Sequence, residues 1–121
     1  MTNQEFWNQL EVCVKSEPDK IPSLVLQANQ ENLCILIVVN SNVMHALELD
    51  HKFYVHCVTS KDVPLPAGYI IREFELKGLF FSLIESGLNG MIFASKSNMV
   101  GFGWKDLFQA PDSQTPSASS K

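Results

Sequence analysis

Three histidines and a cysteine crowd one short stretch of the chain: His45, His51, His56 and Cys57. Imidazole nitrogens and thiolates are good ligands for zinc and related cations. Recognisable sites, however, pair them at fixed spacing, as in Cys-x-x-Cys or His-Glu-x-x-His. None of these four makes such a pair, and adjacent residues such as His56 and Cys57 point to opposite faces of a strand. The expectation is solvated or hydrogen-bonded histidines, with no metal and no cofactor. Nucleophilic catalysis by a Cys/His pair is the other chemistry on offer. It needs a stabilised thiolate, and Cys13, Cys34 and Cys57 all have apolar neighbours that raise a thiol's pKa. No catalytic residue is assigned, and the cysteines read as reduced, buried, small hydrophobes.

Two further stretches attract attention. Ser60-Lys61-Asp62 opens a loop over residues 60–68 that contains Pro64, Pro66 and Gly68. Loops at strand ends commonly carry function, so Lys61 and Asp62, with His56, are the residues a small enzyme or ligand-binding protein would use. Gly101-Phe102-Gly103 lacks the remaining glycine and the Lys-Ser/Thr pair of a phosphate-binding loop. Late in the chain, Phe81, Met99, Phe102, Trp104 and Phe108 gather aromatic and methionine side chains. Either they complete the core against the first helix or some form a patch that binds another protein, where such residues are enriched.

These side chains must be positioned by a small set of elements. The run at 33–39, Leu-Cys-Ile-Leu-Ile-Val-Val, is uniformly apolar and rich in β-branched residues, so it predicts a central strand covered on both faces. Thr2 and Glu5 form a capping box ahead of a helix over 3–16, whose buried stripe is Phe6, Leu10, Cys13 and Val14 with Trp7 beside it. Pro18 and Pro22 bracket a loop, and residues 23–28 predict a strand joined to the central one as a hairpin. Residues 43–49 read as strand more than as helical turn, followed by a turn at 50–52 and a strand over 53–59.

A short extended segment spans 69–74. Leu76, Leu79, Phe80, Leu83 and Ile84 then keep the spacing of an amphipathic helix that includes Gly78 and is capped by Gly87. Phe81 falls roughly 140° from Leu76 around that helix, off the buried stripe. A strand at 90–95, a returning strand at 99–103 and a helical turn at 104–108 complete the domain. Residues 1–109 read as one domain. Residues 110–121, built of Ala, Pro, Ser, Thr, Gln, Asp and a terminal Lys, read as a disordered tail.

Composition narrows the function classes. A formal net charge of -4, without a Lys/Arg cluster, argues against nucleic acid, whose binding depends on clustered cations. The apolar run at 33–39 is far short of the ~20 residues a bilayer span needs, and the N-terminus does not resemble a secretory signal. A cytoplasmic protein that avoids membranes is expected.

From the strand ending in Val58-Thr59-Ser60-Lys61-Asp62, through the Pro-rich loop and a helix carrying Leu79-Phe80-Phe81-Ser82-Leu83-Ile84, to the strand closing in Lys96-Ser97-Asn98, the order of elements resembles the SseB-type N-terminal domain family over about residues 33–107. The turn at 96–98 departs from the family's Asn-Pro. The resemblance implies an α+β domain used as an accessory or interaction module, without established catalytic residues. The fold class expected is therefore α+β, a mainly antiparallel or mixed sheet of about five strands with two packed helices. The expected function is non-enzymatic protein binding, as a chaperone-like, immunity-type or regulatory partner protein, with Phe81, Met99, Phe102 and Trp104 as candidate contacts. A protein partner is expected, and a homodimer is one form it could take.

Overall fold

The computed structural model describes residues 1–108, apart from the side chain of Phe108; the tail expected at 110–121 lies outside the described residues. Helix α1 (Asn3–Ser16) begins as its capping box dictates: the Thr2 hydroxyl accepts from the Glu5 amide at 3.1 Å, and the Glu5 carboxylate accepts from the Thr2 amide at 2.7 Å. A short 3₁₀ turn (Pro18–Lys20) leads into α2 (Ile21–Gln30). This corrects the strand expected at 23–28. Pro22 sits in the first helical turn, where a missing amide costs nothing, and Ile21, Leu24, Val25 and Ala28 bury one helical stripe.

Strand β1 (Cys34–Asn40) is buried from Ile35 to Val39, and two-residue turns then fold the chain back twice. Ser41 and Asn42 have φ of 55° and 67°, and Asp50 and His51 have 53° and 66°; paired left-handed residues are what tight hairpins require. Between the turns lie β2 (Val43–Met44) and β3 (Ala46–Leu49), followed by β4 (Lys52–Val58). β1 and β4 pair directly only at Leu36 with Val58 and Ile37 with Cys57. Beyond that point β2 pairs with β1 and β3 with β4, so the chain 43–49 is wedged between them. His45 is the joint: its amide donates to Val38 and its carbonyl accepts from His56.

The next strand, β5 (Tyr69–Glu75), pairs with β1 along its whole length. Helix α3 (Leu79–Glu85) starts only after Gly78, which corrects the placement of that glycine inside the helix. Gly78 has φ of 84°, and a Cβ there would touch nothing, so the glycine serves backbone conformation and not close packing. β6 (Gly90–Ala94) joins β4 in parallel, β7 (Met99–Gly103) returns antiparallel to it, and α4 (Trp104–Phe108) follows directly. Among the described residues, the class is therefore α+β with one mixed sheet of seven strands and four α-helices. The count exceeds the expected five strands and two helices because 43–49 divides at His45, the segment at 69–75 is a full strand, and α2 and α4 are helices.

Register assigns the two sheet faces. Ile35, Ile37 and Val39 share one with Val55, Cys57, Met91 and Phe93. Thr59 continues that face and donates to the Glu11 carboxylate of α1 at 3.3 Å, so α1 lies over it. The opposite face carries Leu36, Val38, Val58 and Ile92, then the rings of Tyr54, His56 and Tyr69. Cys34 departs from expectation. At the first position of β1 it is only half-buried, although its amide is held by Asn3 and its carbonyl by the Trp7 indole.

Candidate functional site

The late aromatic residues divide into two groups. Phe80 faces inward from α3 and meets the edge of the Trp104 ring at a centroid distance of 6.3 Å, while the Trp104 indole donates to the Leu88 carbonyl at 2.7 Å. Phe102 on β7 packs beside Phe93. Trp104 and Phe102 are thus half-buried members of the fold. Phe81, one residue along from Phe80, points the other way and is 75% exposed; Met99, at the start of β7, is 58% exposed. Phe108 closes α4. A lone exposed apolar side chain is ordinary, and among the described residues Phe81 is the most exposed of the large apolar ones.

A cleft of about 400 Å³ opens beside Trp104, lined also by Lys52, Tyr54, Leu88, Asn89 and Asp106. A second groove, of about 490 Å³, runs between α1 and α2, lined by Val12, Cys13 and Leu24 together with Asn8, Glu17 and Lys20. Burial, followed by the nearby Glu17 carboxylate, raises the Cys13 thiol above its usual pKa. Cys57 is fully buried and is also raised. Neither is an activated nucleophile.

The loop candidates are tied to separate structural partners. Lys61 pairs with Glu73 and lies over the Trp7 ring, 5.6 Å from its centroid. The Asp62 amide donates to the Ser60 hydroxyl. His56 belongs instead to the middle of β4, bonded to His45, so the structure does not gather the three around a common point. Neither of the two clefts is lined by the loop at 60–68.

What the structure does bring together is His45 and His56. Their Nδ1 atoms lie 3.0 Å apart, the ring centroids are 5.2 Å apart, and Tyr69 meets His45 edge-on at 4.8 Å. Burial first, and then repulsion from His45, pulls the His56 pKa down to about 4. His51 takes no part: it is exposed in the β3–β4 turn, near Glu48. The pairing was available from sequence through the turn. Once Asp50-His51 is the two-residue centre of a hairpin, counting outward from Leu49 opposite Lys52 places His45 opposite His56.

The fold and these sites define the class: a small α+β domain with one mixed sheet under a helical layer. No family model, curated protein or solved structure matches the chain. Among the described residues, no helix is long and apolar enough to cross a membrane.

Proposed function

We propose that the chain is a non-enzymatic protein-binding module, an accessory, chaperone-like, immunity-type or regulatory partner protein. The observation that carries this is Phe81. Its neighbours Phe80 and Leu83 satisfy the packing of α3, which leaves Phe81 without a role in the core. Aromatic side chains contribute disproportionately to interfaces when a partner excludes water from them, and Met99 is also exposed. The net charge of -4 suits a basic partner. Similarity of residues 33–107 to the SseB-type domain is part of the same proposal. So is a cytoplasmic setting, which the free thiols of Cys13, Cys34 and Cys57 favour.

A small enzyme or ligand-binding protein built on the loop at 60–68 is the weaker reading. Lys61 is held by Glu73 and Trp7, and His56 lies in the middle of β4, paired with His45 and not with the loop. The test is affinity capture with wild-type and Phe81→Ala baits from the native source. A partner retained by the first and lost by the second supports the reading. A folded Phe81→Ala bait that retains every captured protein as well as wild type refutes the role of Phe81.

A further inference from the structure

We propose that His45 and His56 form a two-histidine chelate for a divalent transition-metal cation, with Cu²⁺ and Ni²⁺ preferred over Zn²⁺. The two residues stand directly opposite across the junction of β2, β3 and β4, held by the backbone bond from the His56 amide to the His45 carbonyl. This fixes both Cα positions before any cation arrives, which lowers the ordering cost of chelation. Their Nδ1 atoms are 3.0 Å apart. With metal–nitrogen bonds of about 2.0–2.1 Å, that separation subtends roughly 95° at the cation. A cis pair in a square-planar or octahedral site needs about 90°, close to this value, and Cu²⁺ and Ni²⁺ favour that geometry with nitrogen ligands.

The pair is also chemically ready. An Nδ1-to-Nδ1 hydrogen bond between neutral rings leaves one nitrogen with its lone pair aimed at the other. Coordination requires the donor ring to move its proton from Nδ1 to Nε2 and both rings to turn until their Nδ1 lone pairs converge on the cation, and no net proton is released when both rings are neutral. Both rings are half-buried, which leaves a path for the cation. Among the described residues no set of three His, Cys, Asp or Glu side chains converges on a metal position, so water completes the coordination.

The experiment uses the full chain and Cu²⁺ or Ni²⁺ at pH 7.5. Sub-stoichiometric metal should broaden the ¹H–¹⁵N signals of residues around 45, 56 and 69 before any others. Apparent affinity should fall at least tenfold in either His45→Ala or His56→Ala and stay unchanged in His51→Ala. If the alanine variants do not fold, the wild-type broadening pattern decides alone. Broadening centred on His51 and Glu48, or on the N-terminus, overturns the proposal, as does unchanged affinity in a folded His56→Ala protein.

Discussion

Acid should weaken this fold through His56 in a defined window. In the folded state the ring resists protonation down to about pH 4, because it is partly buried and faces His45. In the unfolded chain it takes a proton near the ordinary histidine value of about 6.5. Between those two values the unfolded state binds more protons, so stability falls as pH falls, with this contribution absent above about 6.5 and fully developed below about 4. Full burial would make the loss ~3 kcal/mol by linkage, and solvent screening of a ring this exposed reduces it to about 1–2 kcal/mol. For a domain of this size that is about 5–10 °C of Tm. Thermal melts of wild type and His56→Gln from pH 7.5 to 4 isolate the effect, because carboxylates elsewhere contribute equally to both. The reasoning predicts that the Tm difference between the two proteins changes steadily across the window. A constant difference would refute it.

Other perturbations probe the frame. Replacing Gly90 by Ala would put a Cβ 1.9 Å from the Phe102 carbonyl oxygen, so that variant should unfold or force β6 and β7 apart, measured as loss of the cooperative melt. Thr2→Ala removes half of the capping box and should cost about 1 kcal/mol in urea denaturation. Cys57 should react with a thiol reagent only on unfolding. Cys34, half-buried at the end of β1, should react ahead of it in the native protein, and a reversed order would contradict the sheet register.

Much of the frame was legible because the residues that specify it act locally. Thr2 and Glu5 mark a helix start wherever they occur, and an apolar run like 33–39 has few alternatives to a buried strand. The misread segment, 23–28, fails for a local reason too. Leu24, Val25 and Ala28 fit a helix only when Ile21 is counted with them, and Pro22 reads as a breaker until it is placed in the first turn. Gly78 misleads because Leu76, Phe80 and Leu83 keep helical spacing across a turn that is not helical. Both faces of β1 are covered as the apolar run implies, yet Cys34 stands at its end, where coverage stops. The candidate site was less legible. Phe81 shows itself by standing off the stripe of Phe80 and Leu83, although the angle taken from Leu76 runs across a turn that is not helical, whereas the meeting of His45 and His56 depends on strand register, and register depends on where a two-residue turn is centred.

The most direct test of the binding-module account is the affinity of a captured partner for Phe81→Ala, measured by calorimetry beside the variant's melting temperature. A contact at the centre of an interface should cost about 2 kcal/mol or more, roughly a thirtyfold loss of affinity. Phe81 is exposed, so the melting temperature should stay within about a degree of wild type. A folded variant with full affinity would contradict the role of Phe81. A saturable turnover abolished by substitution of Lys61 or Asp62, and untouched by Phe81→Ala, would contradict the account as a whole.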